Sequence, residues 1–311
     1  MTDVAKKDRK RWGRKFVDVR DWPRYNEQLV RRGEYLLDLD WVRNWNRELA
    51  SMNRGKRGHP YEFPDSLIRL QSVWHDKNIP VRMIEGLTRR LCQMAQVPDY
   101  NDYTTIDRRI NQLDFHLDLP DVDGLTVFCD GSGFQAVNGG EYLREKYGKR
   151  NRRWVQVIIL GDPETKQPVS FEVNLLPASE PENGKRQLQG LVDHGIDVAR
   201  FGGDGAFDDL ALWQMLESNC VQPIIKPAMN ARDDSPSSVR NSNVKERNRR
   251  GYRCWARRHG YGARWLATEG IFSAVKRVFG EQLAARSERG MVQEAASRIW
   301  AYCIIKKYGE A

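Results

Sequence analysis

Cysteine is sparse in this chain. Cys92, Cys129, Cys220, Cys254 and Cys303 are odd in number and show no CxxC spacing. That argues against a disulfide framework or a thiolate zinc site, and fits a reducing cytoplasm. His59, His75, His116, His194 and His259 form no metal-ligand spacing either. No apolar run approaches the roughly 18 residues that would suggest a membrane span. The basic amino terminus, MTDVAKKDRKRWGRKF, leads into no apolar stretch of the kind a secretion signal carries. The glycine pairs in GSGF and GGDG lack the lysine and the spacing that cradle a nucleotide phosphate, which removes P-loop and kinase readings.

What the chain has in excess is positive charge. Its 311 residues carry a formal net charge of +9, and 30% of them are charged. The length suffices for one large domain or two ordinary ones with ample core, and the charge points first to a phosphate-rich partner. Residues 1–60 are rich in Lys, Arg and Trp with poor periodicity and read as a basic, solvated arm with one short helix. Residues 61–118 turn helical. Leu67, Leu70 and Val73 form one apolar stripe; Ile84, Leu87, Leu91 and Met94 form a second after Pro80. Ile106, Ile110 and Leu113 form a third, with Arg108 and Arg109 expected outward. Three short helices with tight joints suit a helix-turn-helix-like DNA-binding region or a plain small bundle.

The texture changes after Pro120. LTVFCD is a β-rich run expected to end on Asp130, and WVQVIIL and PVSFEVNLL are two more, joined by the hairpin-like GDPETKQ. A helix is expected over about 185–194, then a strand into Asp204, a helix from near Ala206 bearing Leu210, Trp213 and Leu216, and a strand in VQPIIKP. Hairpins first and strands alternating with helices afterwards suggest a mixed α/β sheet. A polar, arginine-dense insertion over 229–263 follows. An amphipathic helix then carries Ile271, Phe272, Val275, Val278 and Phe279 inward, and a last helix passes through Met291, Ala295 and Ile299.

Three carboxylates stand out: Asp130 and Asp204 at expected strand ends, and Glu269 early in a helix. Taken singly, each aspartate reads as a turn residue before glycine, and the glutamate as an acid facing a helix dipole. Together they coincide with the strand-end positions where open α/β sheets place their sites. Carboxylates within ~4 Å repel by ~4 kcal/mol per pair at an effective dielectric near 20, so a cluster persists only if protonated or holding a cation. Oxygen ligands with open positions suit Mg²⁺ or Mn²⁺.

The runs CDGSGF, GGDGAFD and EGIFSAVKRVFG, in that order, resemble the DDE transposases of prokaryotic insertion sequences, family five most closely. Glu269 with Lys276 matches the end of that family's Tyr-Arg-Glu-Lys signature. Tyr261 and Arg264 supply its beginning, with Arg264 one residue farther from the glutamate than usual. VRMIEGLTRRL and VPDYNDYTTIDRRI resemble the family's amino-terminal helical region, so the likeness spans roughly residues 60–305. It implies a ribonuclease-H-like catalytic domain over 119–311 that contains the 229–263 insertion. It also implies a transposase that binds terminal inverted repeats, cleaves phosphodiesters at the ends and joins the 3′-hydroxyls to target DNA. Asp130, Asp204 and Glu269 are the expected ligands of two divalent ions, with Asp130 bridging both, and Lys276 is expected on a phosphate. Asp208 is expected as a supporting carboxylate. Tyr261, Arg264, Arg108 and Arg109 are further expected DNA contacts. So are Arg249, Arg250, Trp255, Arg257 and Arg258 of the insertion, the tryptophan through stacking. The resemblance implies a homodimer or higher assembly on double-stranded DNA, in the cytoplasm at the nucleoid. A ribonuclease-H-like nuclease or resolvase that cuts without joining shares the same triad, and a non-catalytic DNA-binding descendant is the third reading.

Overall fold

The structure is a computed structural model and describes residues 20–136 and 154–311. Its centre is a mixed sheet in the order β3-β2-β1-β4-β5. β1 (Leu125–Ala136), β2 (Trp154–Asp162) and β3 (Gln167–Asn174) form antiparallel pairs, and β4 (Val198–Gly203) and β5 (Gln222–Ile225) lie parallel to β1. A two-residue strand, β6 (Gln282–Leu283), pairs with the far end of β1. Antiparallel strands first and parallel strands after is the ribonuclease-H-like arrangement.

Helices cover both faces, which is why β2 reads as an almost unbroken apolar run. Ile158 and Leu160 of β2 join Val127 and Cys129 of β1 against α6 (Glu180–Asp193) and α7 (Leu210–Ser218), through Leu188, Leu191, Trp213 and Leu216. The alternate residues Val155, Val157 and Ile159, with Phe134 of β1, face α11 (Glu269–Phe279) and α12 (Glu288–Glu310). Of the five residues expected inward on α11, four are buried, whereas Val278 lies on the exposed side.

The same apolar cluster continues into the amino-terminal helices. It takes in Leu70 and Val73 of α3 (Asp65–Asp76), Ile84 of α4 (Val81–Gln93) and Ile106 and Ile110 of α5 (Tyr103–Ile110). The α4 stripe is the exception to the expected pattern. Ile84 is fully buried and Leu91 packs on the cluster, but Leu87 and Met94 are exposed. Ahead of these helices, α1 (Trp22–Glu34) and α2 (Trp45–Met52) replace the expected solvated arm with its single helix. α1 lies along α12, with the Tyr35 ring edge-on to Tyr308 at 5.5 Å, and Trp45 of α2 is buried against Phe63. The anchors are aromatic, and composition alone counts tryptophans among basic residues as part of a polar tract. Residues 1–19 lie outside the described residues. Among the described residues no helix is long and apolar enough to cross a membrane.

One close approach ties the sheet to the element that follows the insertion. A Cβ at Gly161 of β2 would overlap the carbonyl oxygen of Ala267, at the end of the four-residue helix α10 (Arg264–Ala267). Gly161→Ala is therefore expected to cost about 1–3 kcal/mol as an overpacked site. Gly33→Ala, on an α1 face with nothing within 4 Å, is expected to stabilise by about 0.5–1 kcal/mol. Urea midpoints of the two variants should move in opposite directions.

Candidate active site

Where β4 stops, the sheet has a window. Its pairing with β1 ends at Phe128↔Gly202, and β6 takes up the same side of β1 only at Gln135. Asp130 lies beside this window. It stands in the middle of β1 rather than at its end, because Gly131 and Gly133 stay extended and pair with Ile158 and Gln156 of β2. Val127 and Cys129 face α6 and α7, so by the alternation of the strand Asp130 faces α10 and α11. Asp204 follows the last residue of β4 directly. Its Oδ1 accepts from the Ala206 N–H at 2.8 Å and caps the short 3₁₀ turn Gly205–Phe207, with α7 starting only at Leu210 rather than near Ala206.

Glu269 is the first residue of α11 and approaches from the same face as Asp130. What joins the two is Arg264. Its guanidinium donates from Nη1 to Asp130 Oδ2 at 3.0 Å and from Nη2 to Glu269 Oε1 at 2.6 Å. The extra residue between Arg264 and Glu269 is absorbed by a break in the helix. Thr268 leaves helical geometry with φ −128° and ψ −80°, so α10 and α11 meet at an angle that brings the arginine back over the glutamate. Burial and the neighbouring charge of Asp204 push the Asp130 carboxyl above its usual range, and Arg264 and the Gly131 N–H pull the other way. Burial works against the charge on Arg264, but Tyr261, Asp130 and Glu269 outweigh it and hold the guanidinium more firmly protonated than usual. Tyr261 packs 5.9 Å from the guanidinium carbon, and burial pushes its hydroxyl up to about 12.

A fourth carboxylate enters from the opposite face. α6 starts at Glu180, five residues before the expected start, capped by Ser179 through the Glu182 N–H. Burial first, then the charges of Asp130 and Asp204, raise the Glu180 pKa. The Ser-x-x-Glu spacing of Ser179 and Glu182, with Pro181 inside the first turn, is the sequence signal that marks this start. Among the described residues no three acids stand close enough to form a finished metal cage. The donor chemistry nevertheless suits a hard divalent ion, and Arg264 shows that the space between Asp130 and Glu269 takes positive charge.

The other candidate residues divide. Lys276, two turns along α11, donates to Glu281 at 2.8 Å and sits 5.5 Å from the Phe134 ring. Arg108 is exposed and lines a cleft of about 410 Å³ with Lys56, His59 and Tyr61. Arg109 is not outward. It is buried, pairs with Asp65 at 2.6 Å, donates to the Phe63 carbonyl and lies under the Tyr61 ring, so it holds α5 to α3.

The insertion is helical, with α8 (Ser238–Arg250) and α9 (Tyr252–Arg258). Asp208 docks it to the sheet domain. Arg240 donates to both Asp208 oxygens at 2.7 and 2.9 Å, and Trp213 Nε1 donates to Oδ1 at 3.0 Å. Trp255 is fully buried, stacks on His259 and donates to Asn243 Oδ1, so it offers no face to a base. Tyr252 is the exposed aromatic there. Arg249, Arg250, Arg257 and Arg258 are all exposed, and Arg250 and Arg258 share Glu246 at 3.8 and 3.2 Å.

A family model described as a transposase DDE domain matches residues 123–304, and a second of the same description matches residues 30–139. The chain belongs to the transposase DDE domain family and is a DDE transposase. Domains of this family work with divalent metal ions. Among solved structures, the chain is similar to a pre-cleavage Mos1 transpososome at 10% identity over 82% of each chain, with a TM-score of 0.24. No curated protein matches it.

Arg240→Met leaves the buried Asp208 without its ion-pair partner. We expect a loss of about 3–5 kcal/mol in urea denaturation, as for other broken buried pairs, with faster proteolysis across residues 229–237.

Proposed function

We propose that this transposase binds the terminal inverted repeats of its own element, cleaves phosphodiesters at the ends and joins the freed 3′-hydroxyls to target DNA. The observation that carries this reading is the Arg264 fork across Asp130 and Glu269, beside Asp204 at the window in the sheet. Those three carboxylates, from β1, the end of β4 and the start of α11, are the residues to hold Mg²⁺ or Mn²⁺. Two such ions, when bound, activate the attacking oxygen and stabilise the leaving oxygen of an in-line displacement. No protein nucleophile is required.

Arg264 has to release the two carboxylates for this to happen. A planar guanidinium freed at that point pairs well with a phosphate, which keeps it in the site as a DNA contact. Lys276 has to exchange Glu281 for a phosphate in the same way. Arg249 and Arg257, with Tyr252 between them, present the insertion to the DNA backbone, and exposed Arg108 does so for the amino-terminal helices. We place the protein on double-stranded DNA as a homodimer or higher assembly, at the nucleoid.

The test uses the purified full chain, Mg²⁺ and DNA carrying the sequences that flank its own gene. Strand-transfer products are expected in Mg²⁺ or Mn²⁺, and binding without cleavage in Ca²⁺, which takes looser coordination. Asp130→Ala, Asp204→Ala and Glu269→Ala should each abolish cleavage and leave end binding within a few-fold, since phosphate contacts supply most of the affinity. Robust cleavage in excess chelator, or near-normal cleavage by any of the three variants, would overturn the assignment.

Salt dependence tests the insertion separately. Replacing Arg249, Arg250, Arg257 and Arg258 by glutamine should flatten the slope of log K against log salt by about 0.9 for each phosphate no longer neutralised. Because Arg250 and Arg258 share Glu246, most of that change should already appear in the Arg249/Arg257 double variant. An unchanged slope would take the insertion off the DNA.

A further inference from the structure

Glu180 has no part in the triad, yet the fold places it at the same window from the other side of the sheet. Asp130 faces α10 and α11, while its neighbour Gly131 turns its bare backbone toward α6. A Cβ at Gly131 would overlap Glu180 Oε1 and stand 3.3 Å from Gln156 Nε2. The glutamate carboxylate therefore lies against the β1 backbone one residue from Asp130, in space that any other residue at 131 would fill.

Its orientation is set independently. Gln156 of β2 accepts from the Ala178 N–H at 2.8 Å through Oε1, which turns its amide nitrogen toward Glu180 and provides a hydrogen bond to that carboxylate. One glutamine thus fixes both the chain entering α6 and the acid at its first position. Between the end of the β4 pairing at Phe128 and the start of the β6 pairing at Gln135, no described strand lies along that side of β1. Arg264 serves Asp130 and Glu269 on the α11 face; on the α6 face Glu180 lies against Gly131, the residue next to Asp130, and Asp204 follows the end of β4.

We propose that Glu180 is a fourth metal-binding carboxylate, sharing a divalent ion with Asp130 and Asp204 from the face opposite Glu269, with Gln156 as its positioning residue. This rests on the metal-dependent reading of the triad, which the experiment below tests in parallel. The geometry gives the reason for glycine at 131 and for glutamine at 156, neither of which the triad itself requires.

The experiment is isothermal titration of the full chain with MnCl₂, with thermal melts to verify folding. Glu180→Gln should bind Mn²⁺ at least about tenfold more weakly at one site, a loss typical of disturbed metal sites, with an unchanged melting temperature. Glu180→Asp should fall between Gln and the natural residue. Gln156→Leu, which keeps the carboxylate but removes its hydrogen bond, should weaken the same site less than Glu180→Gln does. Asp130→Asn is the reference. If Asp130→Asn loses Mn²⁺ binding and Glu180→Gln binds as the unaltered chain does, the fourth ligand is wrong and the triad stands. If Asp130→Asn also binds Mn²⁺ normally, the metal reading of the whole site falls. Should Glu180→Gln melt early, Glu180→Asp decides: binding equal to the unaltered chain in a folded variant overturns the proposal.

Discussion

The contact on which the rest of the site depends is the fork of Arg264 between Asp130 and Glu269. Two carboxylates from elements 139 residues apart in sequence would repel if brought together in a half-buried cleft. One guanidinium answers both and settles where α11 begins relative to β1. Its own place is set by Gly161, whose missing side chain lets the α10 backbone press onto β2. Sheet, helix break and the two candidate acids are thus linked through a single cation.

That linkage uses both faces of the sheet. β4 stops short, β6 resumes the pairing several residues later, and Asp130 lies on the stretch of β1 between the two. A flat, fully paired sheet would have separated the α6 acids from the α11 acids. A short β4 leaves unpaired on that side the stretch of β1 where Asp130 meets Arg264 and Gly131 meets Glu180. The insertion contributes through Asp208, which is spent on Arg240 and Trp213 and so anchors α8 rather than joining the acids at the window.

Much of the catalytic half is legible in the sequence because its strands are apolar and its helices periodic. β2, β3, β4, β5 and the buried faces of α3, α5, α11 and α12 follow directly from spacing. The departures have physical causes. Asp130 reads as a strand end because Asp-Gly is cheap in turns, but pairing with β2 overrides that local preference. Trp255 and Arg109 read as DNA contacts because they lie among arginines, and only packing shows that one fills a core and the other ties two helices together. Glu180 is silent in the sequence because nothing in its local surroundings says which strand it will meet. Arg264 is visible as a signature residue, while the helix break that restores its reach is not.

The amino-terminal helices and the catalytic sheet are built around one continuous apolar cluster, with α12 running back between them to α1. If a duplex is held by those helices, as proposed, its offset from the carboxylates would be set by packed side chains and not by a tether. On the proposed reading the protein would work as a caliper, with the bond it cuts set by distance along the DNA as well as by the bases at the cut. On that reading, moving the bond by one nucleotide would mean reshaping a shared core, so recognition and cleavage position would change together.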